Sequence, residues 1–395
     1  MNDNQAILES ALEWWDDQSY NDDRWLTFEQ KQMLFTKVNT PVGEAGVSYE
    51  GKSINEYTWG RGSRVAILWS QMHGNEATAT YALHDLLLYL QLYTSESWVQ
   101  ELSRKICLKI IPMVNPDGAN RWTRRTAMNI DPNRDAVALQ ANETQILMER
   151  IKRSGAEVAF NLHDQRNLFH LEKTDKSAVI SFLAPSADYE RSVSPTRRKS
   201  MNWISHLQES LKKVHSPGAA KYTDEFYPTA FGENVQKMGL PTILIESGAW
   251  PNDPNRNVAR RLNFYLLLQA CLTLAESHKL DTYTKQAYDD IPLNDNKQWD
   301  VLFKNVCIGP ERESAVDLGI KFNFFPHKEL KQLRYTAVIG DIGDLSNHCA
   351  LHTIDAEGGW FENGKKLPRL DEVATFEIHQ NNGLTKVING AVVKN

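Results

Sequence analysis

The chain has 395 residues, 41% hydrophobic and 24% charged, fractions that exclude disorder and collagen-like repetition. Its 44 basic and 50 acidic side chains leave a formal net charge of −6, so no global positive field exists to hold nucleic acid or anionic lipid. The four cysteines, Cys107, Cys271, Cys307 and Cys349, are scattered without a C-x-x-C pair, which points to reduced core residues rather than a zinc ribbon or disulfide framework. The polar start Met1-Asn2-Asp3-Asn4 lacks the basic, apolar and small-residue pattern of a signal peptide. No apolar run reaches the roughly 18 residues of a membrane span. A cytoplasmic protein with no membrane or nucleic-acid partner is the expectation.

Taken in chain order, short apolar strands alternate with helices. Residues 1–44 read as a helical N-terminal segment. A buried strand is expected at Val65–Trp69, a helix from about Glu76 to Leu92, and a β-branched strand at Ile106–Val114. Helical periodicity over Ala138–Ser154 leads to a strand at Glu157–Asn161, with a further strand at Ala178–Leu183. An amphipathic helix spans Lys199–Val214 and stops at Ser216-Pro217-Gly218. The strand Thr242–Glu246 and a long helix Asn257–His278 complete this part. The alternation predicts an α/β fold with a mixed, largely parallel sheet flanked by helices.

The texture changes after residue 280. Residues 281–297 suit a linker, and 298–395 read as a smaller all-β domain of unassigned role. Its expected strands are Asp300–Cys307, Ala315–Phe322, Tyr335–Ile339, Val373–His379 and Thr385–Ile388, with turns at Asn363-Gly364 and Asn382-Gly383. A turn at Lys328–Gln332 is the strongest helical signal there. The domain's histidines show no regular ligand spacing.

Four motifs fall at expected strand ends, where open α/β sheets bind ligands. The first is His73-Gly74-Asn75-Glu76: if a helical turn starts at His73, both side chains converge on one ion. The second is Asn115-Pro116-Asp117-Gly118, followed by Arg124-Arg125 and Asp131-Pro132-Asn133-Arg134; arginine is suited to bidentate carboxylate recognition. The third is Asn161-Leu162-His163-Asp164. The fourth is Glu246, ending an apolar strand as a candidate desolvated carboxylate. A solvated helix start, an ordinary charged loop and a core histidine are the bland readings of the first three taken singly. Together they supply the ligands, base and carbonyl-polarising cation of a His₂Glu catalytic zinc site.

With these pieces in this order, residues 45–275 resemble the zinc carboxypeptidases of the carboxypeptidase A-like family, and in particular its compact bacterial-type members. The resemblance implies one Zn²⁺ per chain, held by His73, Glu76 and His163. It implies Glu246 as general base and Arg124 as the group that polarises the scissile carbonyl, with Arg125 as its competitor. Asn133 and Arg134 match the pair that holds the substrate carboxylate, and Asp131 matches the acid that orients the first histidine. Tyr227, followed by Gly232 at the family's spacing, matches a mobile tyrosine over that carboxylate; Tyr222 is its rival. The implied partner is a peptide or acyl-amino acid with a free carboxylate.

Departures limit what carries over. The stretch between Glu76 and His163 is shorter than in the digestive enzymes, and His163 is followed by Asp164-Gln165. The pocket floor falls at Asn234, with Glu233 beside it, and no side-chain preference follows. The expected activity is hydrolysis of a C-terminal peptide or isopeptide bond. A deacylase or amidase acting on a small acylated amino acid or cell-wall peptide is the alternative, and an inactive carboxylate-binding protein the third reading. Some family members carry an all-β domain in a position similar to 298–395.

Overall fold

The protein is described by a computed structural model covering residues 3–20, 22–166, 168–364, 367–380 and 383–393. Its strands are β1 (Val42–Val47), β2 (Ser53–Gly60), β3 (Arg64–Trp69), β4 (Ile106–Ile111), β5 (Val158–Asp164), β6 (His170–Leu171), β7 (Ile180–Leu183), β8 (Ala220–Lys221) and β9 (Thr242–Ser247). They continue as β10 (Asn294–Asp295), β11 (Gln298–Ile308), β12 (Ser314–His327), β13 (Gln332–Gly343), β14 (Cys349–Asp355), β15 (Trp360–Glu362), β16 (Phe376–Gln380), β17 (Gly383–Ile388) and β18 (Ala391–Val393). The helices are α1 (Asp3–Asp16), α2 (Phe28–Phe35), α3 (Thr78–Leu92), α4 (Ser97–Lys105), α5 (Pro116–Arg121), α6 (Asn142–Arg153), α7 (Pro195–Val214), α8 (Phe231–Lys237), α9 (Asn257–Ala275) and α10 (Lys285–Asp289).

The chain divides into two compact units. The first comprises 1–165, 179–248 and 255–294; the second comprises 166–178, 249–254 and 295–395. Residues 281–297 are more than a tether: they contain α10, whose Thr284 side chain accepts from the Ala287 N–H.

Among the described residues the first unit's sheet has eight strands in the order β1-β2-β4-β3-β5-β9-β7-β8. The centre is parallel, through β4/β3, β3/β5 and β5/β9, while β1/β2, β2/β4 and β7/β9 are antiparallel. Such a sheet needs both faces covered, which accounts for the near-continuous apolar runs of β3, β4 and β9. One face packs Ile67, Trp69 and Ala159 against Leu147, Met148 and Ile151 of α6 and Phe231 and Val235 of α8. Helix α9 packs on α3 and on β3, β4 and β9, and α1 packs on α9. Buried Arg260 of α9 makes a bidentate pair with Asp85 of α3, at 2.7 Å for both bonds, and a third bond to Asp22. Trp15 of α1 donates to the same Asp85 at 3.2 Å. The N-terminal helix is thereby part of this unit's buried polar network.

The expected helix at Glu76 begins only at Thr78, and the one at Ala138 begins at Asn142. The residues before α3 form the turn that carries His73 and Glu76, and those before α6 include a turn at 136–138. Strands β1 and β2 and helix α4 had no counterpart in the sequence-based expectations.

The second unit is built on β13-β12-β11-β15-β16-β17-β18, with β14 paired to β11 in parallel. Val301, Phe303, Leu318, Ile320, Ile339, Phe376 and Ile378 form its core. Trp299 lies flat where Gly319 and Gly340 face it; a Cβ at either position would come within 2.4 or 2.5 Å of the ring. Residues 328–331 form a turn between β12 and β13 rather than a helix. Gly364 has φ of 61° in a turn, whereas Asn382 of the second expected turn lies outside the described residues. Among the described residues, no helix is long and apolar enough to cross a membrane.

Candidate metal centre and its surroundings

The site lies at the carboxyl ends of β3, β5 and β9. Beyond β3 and β4 the two chains stay joined by backbone bonds from Val114 to Ser70 and from Asn115 to Gln71. This zips the His73 turn to the Asn115-Pro116-Asp117-Gly118 turn. Asn115 caps α5 by accepting from the Gly118 N–H at 2.8 Å, with Pro116 in the first turn. Asp117 is buried and accepts from Lys52 Nζ at 2.9 Å and from the Glu50 N–H at 3.0 Å. This motif is therefore a structural anchor. A Cβ on Gly74 would lie 2.0 Å from the Gly118 carbonyl carbon, so the two turns touch only because residue 74 is glycine.

His73 and Glu76 converge through a turn closed by the Glu76 N–H on the His73 carbonyl at 3.1 Å, not through the expected helical turn. His73 Nδ1 is 2.8 Å from Glu76 Oε1, and His163 Nδ1 is 2.8 Å from Glu76 Oε2. The two Nδ1 atoms lie 3.2 Å apart. All three residues are buried, with one ligand atom from each lying within 4.8 Å of the others. For a tetrahedral ion with ligand bonds of about 2.0–2.1 Å, donor atoms should stand roughly 3.3 Å apart. The donor set and its spacing fit a zinc ion. Two imidazole Nδ1 atoms aimed at one carboxylate and at each other are better balanced by a cation than by a single shared proton.

Asp131 supports this arrangement. Its Oδ1 is 3.3 Å from His73 Nε2, and its Oδ2 accepts from Arg124 Nε at 2.9 Å. A proton on His73 Nε2 shared with Asp131 leaves the Nδ1 lone pair free for a metal. Burial favours a neutral Asp131, but His73 and Arg124 outweigh it and hold the carboxyl well below the usual range. Arg124 Nη1 reaches to 3.0 Å from His73 Nδ1 and 3.3 Å from Glu76 Oε1. Burial also works against ionised Glu76, and the two imidazoles overcome it, so its pKa lies well below normal. For His163 burial wins over Glu76 and depresses the imidazole, which favours the neutral ligand form.

Glu246 is paired with His163 across β5/β9, and its Oε2 is buried without a hydrogen-bond partner. Burial, reinforced by Glu76 and Asp164, pushes this carboxyl well above the usual range. Arg256, absent from the sequence-based candidates, and Asp164 of the third motif act on it. Arg256, 4% exposed, donates to the Ser247 carbonyl at 2.8 Å and the Gln165 carbonyl at 2.9 Å. It also lies 3.5 Å from Asp164. One guanidinium thus ties together the ends of the strands that carry Glu246 and His163. Asp164 accepts from Thr78 Oγ1 at 2.7 Å, linking the start of α3 to the same point. Nothing in the local sequence around Arg256 marks it, because two of its partners, Asp164 and the Gln165 carbonyl, are distant along the chain.

The expected carboxylate-binding groups sit on the rim. Asp131 and Pro132-Asn133-Arg134 form a 3₁₀ turn in which Asp131 accepts from the Asn133 N–H at 3.0 Å. Asn133 Oδ1 accepts from the Phe231 N–H at 2.9 Å, fixing the start of α8. Arg134 is exposed, and its guanidinium lies 4.7 Å over the Tyr227 ring, a cation–π contact. Tyr227 is 45% exposed, and its hydroxyl donates to Glu225 at 3.3 Å. Tyr222 instead donates its backbone N–H to Phe182 in the sheet region. Arg125 donates to the Asn129 carbonyl at 2.9 Å on the surface; Arg124 is the arginine that reaches the triad. Asn234 turns back to the Pro228 and Ala230 carbonyls. Glu233 is buried, and burial raises its carboxyl to about 7.

An α/β sheet with a buried His-Glu-His cluster at its strand ends defines a metal-dependent hydrolase architecture. The family model that matches, over residues 27–232, is that of the zinc carboxypeptidases, and the chain belongs to this family of metallocarboxypeptidase-type hydrolases. A probable carboxypeptidase 2 of Trichophyton verrucosum is 32% identical over 104 residues, 26% of this chain and 20% of that protein. Carboxypeptidase 2 of Trichophyton rubrum is 31% identical over 104 residues, 26% of this chain and 19% of that protein. The chain thus matches about a fifth of the length of these curated relatives. A metallo-carboxypeptidase from Burkholderia cenocepacia shares the fold, with a TM-score of 0.51 and 17% identity over 64% of this chain and 70% of that one.

Proposed function

We propose that this protein is a zinc-dependent carboxypeptidase that hydrolyses a C-terminal peptide or isopeptide bond, with His73, Glu76 and His163 holding one zinc ion per chain. The observation that carries the reading is the unpartnered, high-pKa Glu246 carboxyl set opposite His163 beside the three converging ligand atoms. A zinc ion in such a site supplies Lewis acidity and makes water nucleophilic near neutral pH. Glu246 takes the proton from the attacking water and passes it to the leaving nitrogen, the role for which a raised carboxyl pKa is suited. Arg124, oriented by Asp131, donates to the substrate carbonyl as negative charge develops there. Arg134 and Asn133 orient the terminal carboxylate, and Tyr227 covers it from the opposite side of the guanidinium.

The Arg134–Tyr227 stack favours a carboxypeptidase over a deacylase, because it places a planar donor and a phenol together at the rim. The test is Glu246→Gln in full-length protein, assayed on peptides with free and amidated C-termini. Turnover of the free form should fall about 10³- to 10⁴-fold with zinc content unchanged. Equal cleavage of both peptide forms by the native protein, or full turnover in the variant, would reject the reading.

A further inference from the structure

Gln71, two residues before His73, has a backbone φ of 48° and is fully buried. A non-glycine residue is strained in this left-handed region, and such conformations persist only where the surroundings impose them. Glycine would adopt the same turn freely. A glutamine stands here instead, and both polar atoms of its amide are engaged. Nε2 donates to the Gly74 carbonyl at 2.9 Å and to the Leu26 carbonyl at 3.1 Å. Oε1 lies 3.0 Å from the Thr80 hydroxyl at the start of α3. The Gln71 carbonyl accepts from the Asn115 N–H at 3.1 Å, so one residue ties four points together.

The Gly74 bond is the one that reaches the triad. Gly74 lies between His73 and Glu76, and its carbonyl fixes the peptide plane in the middle of their turn. Rotation of that plane would swing the two side chains relative to each other, whereas site geometry tolerates only about 0.5 Å of error. The Leu26 bond ties the same amide to the N-terminal part of the chain. Leu26 packs with Ala77, Tyr81, Met113 and Ala119. Around it, Trp25 Nε1 donates to the Ala119 carbonyl at 2.9 Å and the Phe28 N–H donates to Asn120 Oδ1 at 2.7 Å. The Tyr81 hydroxyl donates to the Asp23 carbonyl at 3.0 Å. Residues 23–28 therefore grip both α3, which follows Glu76, and α5, which follows Asn115.

We propose that Gln71 is a positioning residue for the metal centre: its amide couples the 23–28 segment to the His73–Glu76 turn and holds both ligands at metal-binding spacing. The inference rests on the reading of His73, Glu76 and His163 as metal ligands. Both donor bonds of the amide run to backbone carbonyls. Its effect therefore passes through the main chain of the turn, unlike that of Asp131, which acts on the imidazole itself. A buried amide whose partners are all fixed holds one geometry, and removing it leaves the Leu26 and Gly74 carbonyls without this donor. The Gly74–Asn75 peptide is then free to turn, and the two ligand side chains lose their common frame.

Zinc affinity of the full chain, measured by competition with a chromophoric chelator, tests this beside the visible absorption of the cobalt-substituted protein. Gln71→Met keeps the side-chain length and the left-handed backbone but removes the amide. It should weaken zinc binding by about 10- to 100-fold and alter the cobalt spectrum. Gln71→Gly removes the strain together with the amide, so it serves where the first variant does not fold. It should show the same loss of affinity, because relief of strain does not restore the clamp. Native zinc affinity and a native cobalt spectrum in a folded variant, even one with a lower Tm, overturn the positioning role and leave the ligand assignment standing. A native chain that takes up no zinc rejects the ligand assignment itself, and the inference with it.

Discussion

The triad and the rim proposed to bind the substrate carboxylate are built from different materials. His73, Glu76 and His163 are 1–3% exposed and stand on strand ends, or on a turn locked to a second turn. Arg134 and Tyr227 sit on loops, with Tyr227 45% exposed. Buried groups on a sheet are held by register, so their spacing survives without a ligand. Rim groups depend on each other, here through a stack of arginine on tyrosine. The inner half of the site should therefore behave as all-or-none, and the outer half as graded.

The largest effect is expected at the inner half. His163→Ala should lose most of the zinc found in the native protein and reduce peptide cleavage to background, read by metal analysis beside an activity assay. Retention of stoichiometric zinc would place the metal elsewhere. Arg256→Ala should come next, lowering kcat by about 10- to 100-fold through displaced strand ends, as losses of supporting groups around metal sites commonly do. Zinc content and KM should change little, and Arg256→Lys should restore part of kcat. A variant with a lower Tm but native kcat would reduce Arg256 to a structural role.

At the rim, Arg134→Ala should raise KM by about tenfold to a hundredfold, with a smaller effect on kcat, because it removes binding common to ground and transition states. An equal loss in kcat would move Arg134 into the inner half. The smallest effect concerns stability. Burial raises Glu233 from 4.5 to about 7, so the folded state binds its proton more tightly than the unfolded chain. Its contribution is fully present below 4.5 and is lost as pH rises through about 7. Glu233→Gln should accordingly flatten the fall in stability over this window, by about 1–3 kcal/mol, in denaturant titrations at several pH values.

Much of the first unit was legible in the sequence. Strands β3, β4, β5 and β9 follow from apolar, β-branched runs, and α7 and α9 from amphipathic or apolar helical spacing. The ends were less legible. Helix α3 begins two residues beyond Glu76 because the His73–Glu76 segment is held by Gly118, a contact between remote positions. Strands β1 and β2 carry mixed burial and several glycines or polar residues, so no clean alternation announces them. In the second unit, β14, β15 and β18 are short or exposed, and β14 and β15 depend on pairing with β11, far along the chain.

Of the site, the candidate metal ligands, the candidate base and the arginine-rich segment were legible in the sequence, because these are chemical identities in a recognisable order. Tertiary structure decided how they are used. It separated Arg124, which reaches the triad, from Arg125, which does not. It turned Asp117 into an anchor and brought Arg256 to two carbonyls. It set His163 opposite Glu246 through strand register. The physical reason is that ligand identity is a local property of side chains, whereas distance, burial and pKa arise only when remote segments pack together.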